Sequence, residues 1–354
     1  MAPKRSRQHS GGMTDPWGSE GPPGPRRGPE GGAAGGEWEQ AVARARARLS
    51  QDIANQGGFD GEPEWREAFA AVPRHLFVPS YFGPSAGGWR RMWGEDPDPV
   101  RRLAWLEGVY TDTPLATRLR DGELLSSSSQ PSLMAKMLAD LRVREGDKVL
   151  EIGAGTGWNA ALLAYRLGSA HVTTVDLDPD ITDSARRHLE AAGLHPHVVT
   201  GDGARGCRAD APYDRVLATC ALDTVPRPWL EQTRPGGLIL TPFATGLVRL
   251  TVHGPDRAEG RFLPTPAYFV PLRGTEPRAA RDLHTDGIAR HLLNNEGFRF
   301  LLTLTAGRLS PAEALEVWQR ESHPVRERFG LTADSGTLTA WLDDPAGPDR
   351  WQLV

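Results

Sequence analysis

A chain of 354 residues is too long for one small domain and fits two domains, or one large domain with extensions. Hydrophobic residues make up 39% and charged residues 24%, ordinary for a soluble globular protein, and a formal net charge of −4 draws the chain to neither nucleic acid nor an anionic membrane. No apolar run approaches the roughly 20 residues that cross a bilayer. Two cysteines, Cys207 and Cys220, are too few for a disulfide scaffold or a structural zinc site, and the expected setting is a reducing cytoplasm.

The first 36 residues hold 10 Gly and 6 Pro with almost no large apolar side chains, which predicts a disordered tail. The basic Met1–Ser10 is not followed by the apolar stretch of a secretory leader. From Glu37, apolar residues at spacings of three and four (Trp38, Ala41, Val42, Ala45, Leu49) predict a helix, and a short one follows from Pro63 to Ala71. Pro73 to Pro79 reads as an extended connection and Tyr81 to Asp98 as a loop. Trp105 to Leu119 has no clean period and is assigned no regular structure. Pro131 opens an amphipathic helix carrying Leu133, Met134, Met137, Leu138 and Leu141. Strands are then expected at Lys148–Ile152, His171–Asp176, His197–Thr200, Tyr213–Cys220 and Gly237–Thr241. Helices lie between them, Asn159–Leu167 and one capped by Asp178 running to Ala192. This alternation predicts a Rossmann-like α/β fold with a parallel sheet. Leu247–Val252 and Ala267–Val270 are expected to add an antiparallel edge. Residues 37–274 form the predicted main α/β domain with its N-terminal helices, and 275–354 a small added α+β accessory domain suited to substrate binding.

The chemistry starts at Glu151-Ile-Gly153-Ala-Gly155-Thr156-Gly157, a strand end running into a helix start. Glycines let backbone approach a ligand, and the helix start offers free N–H groups. Compared with the dinucleotide spacing, the third glycine comes one residue early. That suits S-adenosylmethionine, a nucleoside without a pyrophosphate. Asp176, with Leu177 after it, is placed to accept the ribose hydroxyls, and Asp202 of Gly201-Asp-Gly203 to accept from the adenine amino group. Glu151, Gly153, Gly155, Thr156, Gly157, Asn159, Asp176, Leu177, Asp202 and Gly203 are the candidate cofactor-binding residues.

The order of motifs resembles the protein L-isoaspartate O-methyltransferases over about Phe69 to Leu272. The likeness is carried by Val72-Pro-Arg-His-Leu-Phe-Val-Pro79, Tyr110-Thr-Asp112, Ser129-Gln-Pro131, the glycine motif, Gly201-Asp-Gly203, Ala211-Pro-Tyr-Asp-Arg-Val216 and Phe269-Val-Pro-Leu272. The resemblance implies methyl transfer from S-adenosylmethionine to a carboxylate, with S-adenosylhomocysteine as product. Three features depart from the repair enzymes of that family. Their Thr-Ile-Ser triplet maps here to Ser127, Ser128 and Ser129, and their frequent His to Ser132. The Gln after Pro242 is missing, and the chain continues well past Glu276. The Ser-rich run and the Trp-bracketed end, Trp341 to Trp351, look like the actinobacterial branch associated with lanthipeptides and graspetides. That branch implies a modified precursor peptide as partner. Its ordinary Asp is methylated, and the ester collapses to a succinimide and in part to isoaspartate. The alternatives are isoaspartyl repair and a non-catalytic protein that only binds S-adenosylmethionine.

An Asp carboxylate, with pKa about 3.9, needs no base at neutral pH, so the protein must orient and desolvate it. Ser129, with Ser128 second, is therefore expected to orient the acceptor rather than act as a nucleophile. Ser127, Ser129, Gln130 and Ser132 are the expected substrate-binding positions at the start of the Pro131 helix. Capping is the structural use of the same serines. Cys220 reads as a buried filler, Trp158 as packing, and Trp318, Trp341 and Trp351 as core of the tail. His75, His171, His195 and His197 have no metal-ligand spacing, so no metal is expected. The oligomeric expectation is a monomer.

Overall fold

A computed structural model describes residues 33–85, 88–120, 123–274 and 288–354. The tail expected over residues 1–36 lies almost wholly outside them. The chain divides into two units, Met1–Val42 and Ala43–Val354. Of the first unit, the described residues belong to the start of helix α1 (Ala33–Asn55). Farther along α1, Ala45, Leu49 and Ile53 recur at four-residue spacing and are buried.

Within the second unit, α2 (Glu64–Ala71) buries Trp65, Ala68 and Phe69 and stops before Pro73, as expected. A 3₁₀ turn over Arg74–Leu76 replaces the extended connection predicted there. The loop expected over Tyr81–Asp98 is a hairpin of β1 (Ser80–Ser85) and β2 (Gly88–Trp93), and Trp105 lies in helix α3 (Pro99–Val109). Leu115–Arg120 is strand β3 and Glu123–Ser128 strand β4, closing a four-stranded sheet in the order β2-β1-β3-β4. The sequence pattern hides β2 because nearly all of it is exposed, so no in–out alternation marks it.

Helix α4 (Pro131–Leu141) starts on Pro131 and ends at Arg142 in the left-handed region, φ 52°. Then come β5 (Val149–Ile152), α5 (Trp158–Leu167), β6 (Val172–Asp176), α6 (Pro179–Ala191), β7 (His197–Thr200), β8 (Tyr213–Ala218), α7 (Arg227–Gln232) and β9 (Thr233–Phe243). These five strands are parallel in the order β9-β8-β5-β6-β7. Chain direction across the sheet reverses between β5 and β8, so their carboxyl ends flank the switch point where α/β sheets bind ligands. Burial follows: all of β5 and β6 is buried, as expected of strands covered on both faces.

Beyond β9 the sheet continues antiparallel through β10 (Gly246–Gly254), β11 (Arg257–Pro266), β12 (Phe329–Asp334), β13 (Thr337–Leu342) and β14 (Arg350–Gln352). Two expectations change. The partner of β10 is β11, not Ala267–Val270, and this hairpin is interior rather than an edge. Helices α8 (Arg290–Leu293), α9 (Glu296–Leu304) and α10 (Pro311–Arg320) precede β12. Phe298, Phe300 and Trp318 from α9 and α10 share one hydrophobic cluster with Ile239, Val248 and Phe262 of β9–β11. Residues 288–354, within the stretch 275–354 expected to be an accessory domain, add strands to the central sheet and side chains to its core.

Candidate active site

A cavity of about 940 Å³ opens at the carboxyl ends of β5, β6 and β8. One wall is the glycine loop; the other is Ser126–Gln130 with Tyr81–Pro84 of β1, Trp89 of β2 and the residues after α3. The segment Tyr268–Arg273 lines a third side, where Tyr268 and Val270 remain exposed.

The glycine wall follows from backbone geometry. Gly153 (φ 100°) and Gly155 (φ 51°) sit in the left-handed region. A Cβ on Gly155 would lie in ordinary contact with Ser127 O at 3.5 Å and Ser126 Oγ at 4.0 Å, occupying space that glycine leaves open between the two walls. Asp176 ends β6; its Oδ2 accepts from Gly155 N at 3.2 Å and its Oδ1 from Arg273 Nη2 at 3.2 Å. Glu151 lies fully buried below the loop, accepting from Thr174 Oγ1 (2.6 Å) and Asn159 Nδ2 (2.7 Å). Burial pushes its carboxyl up to about 7, against those two hydrogen bonds and with help from the Asp176 charge. Asn159 Oδ1 is buried without a hydrogen-bond partner among the described residues. An open glycine bed, an accepting carboxylate at Asp176 and an orphaned acceptor at Asn159 fit a nucleoside with a cationic amino-acid tail.

The serine wall is built on Arg74. This guanidinium is wholly buried and lies 5.1 Å over the Trp158 ring. It donates to the carbonyls of Val109 (2.8 Å), Thr111 (3.0 Å) and Ser129 (3.1 Å), and to Ser128 Oγ at 3.1 and 3.3 Å. Burial pulls its pKa down to about 9, offset by the Asp112 and Tyr110 charges. Because Ser128 Oγ accepts from Arg74, its hydroxyl proton is free to point elsewhere. Beside it, Asp112 accepts from Ser132 N (2.8 Å), Gln56 Nε2 (2.9 Å) and Gln130 Nε2 (3.2 Å). Burial works against its ionisation, but these bonds prevail and hold its carboxyl below the ordinary range. Ser129 lines the cavity, and its hydroxyl takes no part in this lattice.

The fold therefore brings together Ser127, Ser128, Ser129 and Gln130 with Glu151, Gly153, Gly155, Thr156, Asn159, Asp176, Leu177 and Gly203 around one cavity. Three expected residues do not line it. Gly157 (φ 85°) is the N-cap of α5, where a Cβ would press on Ala185 of α6 at 3.2 Å. Asp202 caps the turn Gly203–Arg205, accepting from Ala204 N at 2.9 Å. Ser132 is buried with its hydroxyl accepting from Gln130 Nε2. Sequence reasoning assigns no role to Arg74, Asp112, Thr219 or Arg273. Arg74 and Asp112 lie inside the family-like motifs, where their charge amid apolar neighbours is the available signal. Thr219 follows β8 and bonds the carbonyls of Gly153 (2.9 Å) and Ile152 (3.2 Å).

A sequence model of the protein-L-isoaspartate(D-aspartate) O-methyltransferases matches residues 100–273. The protein-L-isoaspartate O-methyltransferase of Hyperthermus butylicus is 33% identical over 250 residues, covering 67% of this chain and 91% of that protein. The enzyme of that name from Thermococcus onnurineus is 37% identical over 182 residues, 51% of this chain and 70% of the relative. A solved structure of a protein-L-isoaspartate O-methyltransferase matches with a TM-score of 0.57 at 23% identity, covering 82% of this chain and 96% of that one, which supports the fold. With its glycine-lined cavity at the switch point and this likeness over two thirds of its length, the chain belongs to the protein-L-isoaspartate O-methyltransferase family, S-adenosylmethionine-dependent protein carboxyl O-methyltransferases.

Proposed function

We propose that this chain methylates a free side-chain or isopeptide carboxylate of a peptide held between Ser126–Gln130 and the glycine loop. The observation that carries this reading is the single cavity joining the two walls. Gly153, Gly155, Asn159 and Asp176 would hold S-adenosylmethionine, which supplies an electrophilic methyl group and leaves as S-adenosylhomocysteine. The chain's own contribution is positional. A carboxylate is ionised at neutral pH, so no residue need remove a proton. Ser129, with the Ser128 hydroxyl polarised by Arg74, donates to the acceptor's second oxygen and turns the first toward the methyl group. Apolar residues at the rim, Trp89 and Tyr268 among them, exclude water as the peptide seats.

Family membership favours an isoaspartyl acceptor, the substrate that the relatives are named for. A second reading rests on the departures: the unbroken serine run, the Gln missing after Pro242, and the continuation past Glu276, which adds to the core. In it, the acceptor is an ordinary Asp of a macrocyclic, ribosomally made peptide of the lanthipeptide or graspetide class. The next backbone nitrogen then attacks the ester carbonyl, methoxide departs and takes up the amide proton as methanol, and a succinimide forms. Incubation with labelled S-adenosylmethionine and either a linear isoaspartyl peptide or an Asp-containing macrocycle separates the two. Turnover of the linear peptide supports repair; labelling of the macrocycle alone supports the second reading. Cofactor binding without labelling of any carboxylate would overturn both.

A further inference from the structure

Away from the cavity, three side chains of metal-ligating type converge beside strand β7. His197 opens that strand, and Cys207 and Asp210 lie in the following loop; their ligand atoms all fall within 4.8 Å of one another. None of the three lines the methyl-transfer cavity. Asp210 Oδ2 accepts from His197 Nδ1 at 2.5 Å, Thr173 Oγ1 at 2.8 Å and Cys207 Sγ at 3.7 Å. Three donors on one carboxylate oxygen is an unusual concentration for a loop with a half-exposed histidine, whose side chain is 56% accessible.

The scaffold under these groups is fixed by residues that are not themselves ligands. Thr173 and His197 face each other in register across β6 and β7. Tyr213 Oη donates to Cys207 O at 2.7 Å, and Lys148 Nζ to Asp210 O at 2.7 Å. Upstream, Gln232 Nε2 donates to Arg205 O at 2.8 Å and Trp229 Nε1 to Gly203 O at 2.8 Å. Gly206 (φ 61°) turns the chain where a Cβ would meet Gln232 Oε1 at 2.5 Å. Each stretch of loop backbone is thus pinned before any ligand binds, the preorganisation that metal sites need.

We propose that His197, Cys207 and Asp210 form a divalent metal site of the zinc class. Thiolate and imidazole favour a borderline-soft ion over magnesium or calcium, which take oxygen ligands. Three protein ligands leave one tetrahedral position for water, on the side where His197 meets solvent. On binding, the Cys207 thiol gives its proton to solvent as the sulfur–metal bond forms. The imidazole proton moves by way of solvent from Nδ1 to Nε2, freeing Nδ1 to ligate, while Thr173 keeps its bond to the Asp210 carboxylate. Two cysteines spell no zinc motif in the sequence; the site appears only when the loop folds back on β7.

The test uses the full chain, stripped with chelator and titrated with Zn²⁺ and, separately, Co²⁺. The expected result is one zinc per chain and a near-ultraviolet thiolate-to-cobalt band that vanishes in Cys207→Ser but persists in Cys220→Ser. His197→Gln, a change at an exposed position that leaves the fold intact, should weaken zinc binding at least tenfold and abolish the rise in Tm that zinc gives the unmutated chain. No thiolate–cobalt band, or equal zinc binding by the unmutated chain and His197→Gln, would overturn the proposal.

Discussion

Ser129 and Ser132 lie three residues apart at the same helix start, yet they differ in what they face. Ser129 lines the cavity, whereas Ser132 is buried beside Gln130 and Asp112. A hydrogen bond to a charged group contributes roughly 1.5–3 kcal/mol. Ser129→Ala should therefore lower kcat/KM by about tenfold or more, chiefly through KM, because the acceptor's negative charge is greatest before methyl transfer. Ser132→Ala should stay within about twofold, since the substitution keeps the backbone N–H that donates to Asp112. Steady-state kinetics on both variants checks the pair. Glu151 gives a second prediction, in stability. Its carboxyl ionises ordinarily at 4.5 but only at about 7 in the fold. Between those values the unfolded chain loses its proton first, so stability falls as pH rises through the window and stays reduced above it. The loss is on the order of 3 kcal/mol. Glu151→Gln keeps the Asn159 hydrogen bond without the charge, so its Tm should fall less than that of the unmutated chain between pH 5 and 7.5. Equal declines in thermal scans would contradict the assignment.

At the scale of elements, the glycine loop divides its labour in a way the triplet alone does not reveal. Gly155 faces the gap between the walls, whereas Gly157 faces α6. Both have positive φ, so alanine at either costs roughly 1–2 kcal/mol of backbone strain. Beyond that shared cost, Gly155→Ala should weaken S-adenosylhomocysteine binding several-fold in calorimetry. Gly157→Ala should lower Tm further, by pressing on Ala185, and change affinity less. This division marks how far the sequence can be read. The parallel strands are legible because each is a short apolar run between helices of helical period, and Asp178–Pro179 announces α6. Asp98–Pro99 carries the same cap-plus-proline start for α3, but the helix it opens shows no period, because only Trp105, Leu106 and Val109 of it are buried. The hairpin is illegible for the converse reason: β1 contains Gly83 and Pro84 and β2 is exposed, so pairing rather than burial defines them. The serine wall is foreseeable in its residues but not in its support. Arg74 reaches Ser128 and Ser129 across more than fifty residues, a contact that no local pattern encodes.

For the whole molecule, the question is whether residues beyond 274 are an accessory that could be removed. The β11 edge pairs with β12 over Arg257–Arg261, and β13 and β14 extend that pairing to the chain's end. Removing them would expose the backbone of β11 as an open edge. The loss from the core is larger still. Phe298, Phe300, Phe329 and Leu331 are fully buried in the cluster that includes Phe262 and Val248, and the Phe300 ring meets those of Phe262 and Phe329. Each such side chain contributes roughly 1.5–3 kcal/mol on burial, and a domain's net stability is only about 5–15 kcal/mol. Four of them already rival that margin. A chain ending at Gly274 should therefore be insoluble or lack cooperative unfolding, although every residue of the glycine loop and serine wall remains. Circular dichroism and thermal scans of the soluble fraction, set against the full chain, provide the check. A truncated form that unfolds cooperatively and binds S-adenosylhomocysteine would show that the parallel strands stand alone, and that the C-terminal strands were added to a core already complete.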